Sequence, residues 1–130
     1  MTKAELYYEF LQEEGYLPKY DNDGDLIFKS EGLTYLLFAG EDDPAYFRLA
    51  LPFFWEVESP EERLRVMAAA TTVNAEVKVA KVYIVDDHVW AAVEMLMEPP
   101  EAFKPVFARS LRILRHGVQR FAEIMNTPVQ

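Results

Sequence analysis

The chain has 130 residues, a formal charge of −9 and no cysteine, and half of its residues are apolar. A chain of this length forms one ordinary domain, and so many apolar side chains exclude a largely disordered protein. The missing cysteine excludes disulfides, thiolate metal sites and thiol nucleophiles, and it fits a reducing compartment. We therefore expect one cytoplasmic domain over residues 1–130, with no secretory leader and no membrane segment.

The amino-terminal half predicts one helix followed by three strands. Thr2 and Glu5 form a capping box, and apolar residues at helical spacing predict a helix from Lys3 to Glu14. Two strand-like segments, 26–30 and 33–39, are separated only by two turn residues, which predicts a hairpin. Apolar residues then occupy every odd position from 47 to 57, which is typical of a strand with one buried face. Pro52 interrupts this strand and indicates an edge position or a bulge.

The carboxy-terminal half predicts a helix, a second hairpin and a long final helix. Ser59 and Pro60 begin a helix that ends near Ala75. The predicted buried face of this helix comprises Leu64, Met67, Ala68 and Thr71. Strands over 77–85 and 89–97 surround a turn, with a slip in the pattern between positions 79 and 82 that indicates a bulge.

A third helix is predicted over residues 101–125, with an apolar stripe along one side. The resulting order of elements is α-β-β-β-α-β-β-α. This order predicts an α+β sandwich, in which an antiparallel sheet packs against the helices.

The residues that could carry chemistry favour no catalytic or metal site. Asp21, Asp23 and Asp25 match the first ligand positions of an EF-hand loop, but the glycine and the closing glutamate are missing from their required positions. We interpret this segment as a turn. Glu94 lies mid-strand and could be a buried acid with a raised pKa, but we expect it on a solvent face shared with Trp90. No phosphate-binding loop or nucleophile elbow is present. We predict no catalytic residue, no metal and no cofactor.

Surplus apolar side chains and a basic ridge are the candidate binding features. Phe53, Phe54 and Trp55 are consecutive, so the period of two cannot bury all three on one face. Such residues either form an interface or lie under the first or third helix. The predicted partner-binding residues are Phe54, Trp55, Trp90 and Leu111.

The third helix adds a basic ridge that consists of Arg109, Arg112 and Arg115. The ridge would suit an acidic or phosphate-bearing partner. The interpretation we favour is a solvated face that balances the acidic half of the molecule, within one chain or across a dimer. Residues 1–62 carry 4 Lys and Arg against 15 Asp and Glu, whereas residues 63–130 carry 9 against 7. An acidic protein of this kind is a poor general binder of nucleic acid.

Several segments resemble the YbjN family, whose fold is similar to that of type III secretion chaperones. The resemblance rests on Asp23-Gly24-Asp25-Leu26-Ile27-Phe28-Lys29, Glu31-Gly32, Asp43-Pro44 and Ser59-Pro60-Glu61-Glu62, and it spans nearly the whole chain. It implies a chaperone-like α/β sandwich with a binding or regulatory role, no catalytic residues and a homodimer. We therefore expect a non-enzymatic adaptor that docks a protein partner on apolar surface. The alternative is a regulator that contacts nucleic acid or an acidic partner through the basic helix.

Overall fold

The computed structural model describes residues 1–128, and Val129 and Gln130, which the single-domain prediction includes, lie outside the described residues. Within this range the helices are α1 (Lys3–Glu13), α2 (Pro60–Glu76) and α3 (Phe107–Asn126), and a 3₁₀ helix over Pro100–Val106 leads into α3. The strands are β1 (Lys19–Tyr20), β2 (Leu26–Ser30), β3 (Leu33–Leu37), β4 (Tyr46–Glu56), β5 (Ala80–Val85) and β6 (His88–Leu96). The predicted α+β class and element order are confirmed, and only the two-residue β1 is additional.

The strands form one antiparallel sheet in the order β1-β2-β3-β4-β6-β5. The chain leaves β4 through α2, forms the edge strand β5, and returns through β6 to pair beside β4. The predicted β2–β3 hairpin turns at Glu31 and Gly32, which both have positive φ. Pro105 helps to explain why the last helix begins as a 3₁₀ segment, since proline lacks an N–H and disfavours α conformation in the residue before it.

All three helices pack on the same face of the sheet. The register aligns Leu37 with Leu49 and Leu49 with Val93, and these side chains are fully buried. The buried side chains of α1, α2 and α3 join them in a single core cluster. Phe103 lies at an aromatic centre of this core, with its ring in contact with those of Tyr7, Phe10, Phe47 and Phe107.

The predicted buried face of α2 is wrong. The helix buries Val66, Ala69, Ala70 and Val73, whereas Leu64 is 69% exposed and Met67 is also exposed. The predicted and the observed buried residues both recur at helical spacing. Because alanines lie on both sides of α2, the apolar pattern does not distinguish the buried side from the exposed one. Packing against β5 and α3 selects the smaller face, because small side chains allow a close approach.

Strand β4 contains the bulge that Pro52 indicated, and the alternative of an edge position is wrong because β4 lies between β3 and β6. Leu51 pairs with Ala91 and Trp55 pairs with Val89, so four steps along β4 oppose two along β6. Phe53 therefore leaves the predicted core face and is 61% exposed. The other predicted bulge is absent from the described β5, which pairs with β6 without a register shift from Ala80 to Val85.

Candidate functional site

The open face of the sheet is the surface opposite the helices. Because successive strand residues point to opposite faces, the residues that alternate with the buried ones along each strand place their side chains here. This set includes Leu36, Phe38, Tyr46, Arg48, Ala50, Lys81, Tyr83, Trp90, Ala92 and Glu94. The prediction that Trp90, Ala92 and Glu94 share a face opposite the core is confirmed. Within residues 1–128, no helix covers this face, and no helix is long and apolar enough to cross a bilayer.

One end of the open face carries the bulge patch, which consists of Phe53, Tyr83, Val85, His88 and Trp90. The ring centroid of Phe53 lies 4.9 Å from that of Trp90 and 5.2 Å from that of His88, both in edge-to-face geometry. Tyr83 pairs with Trp90 across β5 and β6, and Val85 pairs with His88. The β4 bulge thus adds an exposed phenylalanine to an aromatic surface that the two neighbouring strands already form.

The backbone at Phe53 is strained. Its φ is 53°, in the left-handed region, which costs a residue with a Cβ atom about 1–2 kcal/mol. This backbone conformation places the aromatic ring in edge-to-face contact with Trp90, whose indole N–H is shielded and has no acceptor among the described residues. Strained residues tend to cluster at functional sites, which makes the bulge patch the leading candidate surface.

A polar network occupies the middle of the open face. Glu94 Oε2 accepts a 2.5 Å hydrogen bond from the Tyr46 hydroxyl, and Glu94 Oε1 forms an ion pair with Lys81 Nζ. Arg48 Nη2 donates a 2.6 Å hydrogen bond to the Tyr83 hydroxyl, and Arg48 Nε lies 3.9 Å from Glu94 Oε1. The network therefore links β4, β5 and β6 and ends at Tyr83, beside Trp90.

The electrostatics of this network keep Glu94 ionised. Partial burial acts to raise the pKa of Glu94, but Lys81, the Tyr46 hydroxyl and Arg48 together outweigh it, so the pKa is lowered from its usual value. Burial and the hydrogen bond to Glu94 raise the pKa of Tyr46 to about 12. A carboxyl that stays ionised at neutral pH suits a structural role, and the alternative of a raised-pKa acid at Glu94 is wrong.

Three of the four predicted apolar contact residues lie on the helix side of the sheet. The rings of Phe54 and Trp55 are half-buried, with centroids 5.3 Å and 5.4 Å from that of Phe121 on α3. Leu111 is 3% exposed and belongs to the core, so the prediction that it is available to a partner is wrong. It follows Phe107 by four residues, which returns it to the buried side of α3. Trp90 alone of the four lies on the open face.

The predicted basic ridge on α3 divides into separate parts. Arg115 is largely buried and its Nε lies 3.3 Å from Glu31 Oε2, so it balances acidic charge within the chain. Arg109 and Arg112 are exposed and form no ion pair with the described residues. Arg115 therefore balances acidic charge within the chain, as the favoured interpretation proposes, while Arg109 and Arg112 lie on the solvated face and are available to a partner.

The acidic turn uses its carboxylates to bind its own backbone. Asp21 Oδ1 accepts hydrogen bonds of 2.9 Å from the N–H groups of Asp23 and Asp25, and Asp25 Oδ1 accepts one of 2.8 Å from Ala39. Burial raises the pKa of Asp25. The three side chains come within 4.8 Å of one another and could approach a cation. Their hydrogen bonds account for the Asp-rich sequence as turn geometry.

The free edge of the sheet at β5 is blocked at its middle. The carboxamide of Asn74 accepts a 2.7 Å hydrogen bond from the Val82 N–H and donates one of 3.1 Å to the Val82 carbonyl. A side chain thus takes the place of a neighbouring strand, which protects the edge from pairing with another chain. This leaves the open face, rather than this edge, as the accessible part of the sheet.

Sequence reasoning missed Phe53, the main exposed residue of the bulge patch. The signal was present, because Pro52 indicated a bulge and three aromatic residues follow it. The shift of two residues keeps the core-facing alternation beyond the bulge, and only the residues inside the bulge leave it, so the residue after Pro52 was a better candidate for exposure than Phe54. Comparison with protein-family models and with curated proteins finds no match to this chain.

Proposed function

We propose that the protein is a non-enzymatic adaptor that docks a segment of a protein partner on the bulge patch. The observation that carries the proposal is Phe53, a strained and exposed residue in edge-to-face contact with Trp90, on a sheet face that no helix of residues 1–128 covers. Aromatic residues are enriched at the centres of protein interfaces. Membership of the YbjN family, with its chaperone-like fold, and cytoplasmic location also belong to the proposal; the sequence resemblance supports the first and the lack of cysteine supports the second.

The charge of the open face favours an apolar partner segment whose carboxylates reach Lys19 and Lys29 on β1 and β2, which form no ion pair with the described residues. Among the described residues, the cations of this face outnumber its carboxylates: they are Lys19, Lys29, Arg48 and Lys81 against Glu56 and Glu94. A second copy of the same face would bring like charges together, which disfavours pairing of two open faces.

Nucleic acid is the less favoured occupant of the open face. The Tyr46 and Tyr83 hydroxyls and the Arg48 guanidinium are engaged within the network, and the protein as a whole is strongly acidic. Phosphate binding needs free cations and a favourable field. The net negative charge of the protein also weakens the alternative of a nucleic-acid regulator. That regulator would act through Arg109, Arg112 and Arg115.

Affinity capture with matched variants tests the proposal. Tagged wild type, Phe53→Ala and Leu96→Ala are used to capture proteins from the native cytosol. Leu96 is an exposed apolar residue on the open face at the other end of β6, outside the patch. We expect one stoichiometric partner that Phe53→Ala loses and Leu96→Ala retains.

A titration of the purified partner then measures the effect at the patch itself. Trp55→Phe leaves Trp90 as the fluorescent reporter, since the chain has two tryptophans. Phe53→Ala should weaken binding at least about tenfold, as removal of a hot-spot aromatic does. Equal binding by Phe53→Ala and Leu96→Ala would refute the assignment. Salt-sensitive binding of single-stranded poly-U that Phe53→Ala abolishes would replace the protein partner by nucleic acid.

A further inference from the structure

A cationic groove lies on the helix side of the molecule, between the loop that leads into β5 and the middle of α3. It contains an apolar hollow of about 170 Å³ whose lining includes Val79, Met95, Val106 and Ile113. A cavity of about 150 Å³ holds a benzene molecule, so the hollow has room for one large apolar side chain. A wider cleft of about 370 Å³ continues from it along α3.

The groove is rimmed by positive charge in an acidic protein. Lys78, Arg109 and Arg112 line it beside His116, and none of these three cations forms an ion pair with the described residues. Glu76, the one carboxylate that residues 1–128 place in its lining, is bound to Arg120 Nε at 2.7 Å. The groove therefore offers free cations beside an apolar hollow, which suits an acidic segment with an apolar anchor.

The chain displays such a segment elsewhere on its own surface. Leu17 is 86% exposed, and Glu13 and Glu14 precede it without an ion partner in residues 1–128. Its neighbours hold it in place, since Pro18 is buried and the Tyr16 ring packs 5.1 Å from that of Phe28. A leucine fixed in this way loses little conformational freedom when it binds.

We propose that the cationic groove binds the Glu13–Leu17 segment of a second copy of this chain. Leu17 fills the hollow, and the two glutamates face the cations along α3. The two arginines lie close enough together for one short segment to reach both, since Arg109 and Arg112 are three residues apart, about 4.5 Å along a helix. Glu13 and Leu17 are four residues apart, at most about 14 Å. When two copies each place their segment in the groove of the other, the contact closes into a symmetric dimer.

Sedimentation velocity on the full chain tests this interface. We expect a dimer whose dissociation constant rises at least about tenfold in Leu17→Ser and in Arg109→Glu. Lys104→Glu makes the same charge change at an exposed lysine outside the groove and should leave the constant within about twofold. Added salt should weaken the wild-type dimer.

Mixing the two interface variants sharpens the test. Leu17→Ser retains an intact groove and Arg109→Glu retains an intact segment, so a mixture restores one of the two contacts. Because a contact that has already lost its leucine or its arginine is weakened little further by the second change, the mixture should associate more tightly than either variant alone. A monomeric wild type at millimolar concentration, an unchanged dimer in Leu17→Ser, or a mixture no tighter than its components would each overturn the proposal. Phe53→Ala should dimerise like wild type, which separates this interface from the bulge patch.

Discussion

The two faces of the sheet use similar side chains for different purposes. On the helix side, Phe103 is fully buried among other aromatic rings and belongs to the core. On the open face, Phe53 is mostly exposed, and its nearest ring belongs to Trp90 beside a network of charged groups. Residue type is the same in both places, so register and bulge position decide whether a phenylalanine stabilises the fold or is available to a partner.

The largest expected difference between the faces is in the free energy of unfolding. Phe103→Ala should lower it by about 3–5 kcal/mol, because it removes a buried ring and leaves a cavity among its neighbours. Phe53→Ala should change it by about 1 kcal/mol or less, because the side chain is mostly in water already. Urea unfolding followed by far-UV circular dichroism measures both. Similar losses of stability in the two variants would mean that Phe53 is part of the core. The two faces of the sheet would then not differ in how they use phenylalanine.

Sequence reasoning predicted the fold well because the signals for most elements are local. The Thr2 capping box, the Ser59 N-cap and the two-residue turn of the β2–β3 hairpin all occur as predicted. The buried face of α2 was missed because the alanine-rich helix offers two similar stripes. Only its packing against the sheet and α3 distinguishes Val66 from Leu64.

The candidate site was harder to predict because it depends on long-range register. Trp90 follows from simple alternation along β6, and it was identified. Phe53 depends on a two-residue shift against β6, and the groove depends on α3 lying beside the loop at Lys78. Nor does any local pattern show that Arg115 meets Glu31, which is far away in sequence. Such contacts become visible only when the elements are assembled.

The pH dependence of stability should report the polar network of the open face. Since the pKa of Glu94 is lowered in the folded state, its stabilisation is present above the unfolded value of about 4.5 and is lost as the pH falls through the folded value. At neutral pH, Glu94→Gln should lower the free energy of unfolding by about 1.5 kcal/mol, the scale of a hydrogen bond to a charged group. This difference between wild type and variant should shrink below about pH 4.5.

A matched variant isolates this effect from general acid unfolding. Glu9 is an exposed glutamate on α1 with no ion pair among the described residues. Glu9→Gln should leave the stability near the wild-type value at neutral pH. A Glu94→Gln curve that runs parallel to wild type from pH 7 to 3 would show that Glu94 is not held ionised by the network.

The smallest expected effect concerns the strained backbone of the bulge patch. At an ordinary exposed strand position such as Thr34, glycine is less stable than alanine by about 0.5–1 kcal/mol, because glycine loses more backbone freedom on folding. At position 53 the order should reverse, with Phe53→Gly more stable than Phe53→Ala by about 0.5–1 kcal/mol, because only glycine adopts a φ of 53° without strain. Urea midpoints of the four variants at positions 34 and 53 provide the comparison. Both position-53 variants should lose the partner equally, since both lack the aromatic ring. The same order at both positions would mean that the bulge relaxes without its phenylalanine, and that the ring, rather than the fold around it, holds the open face in its binding geometry.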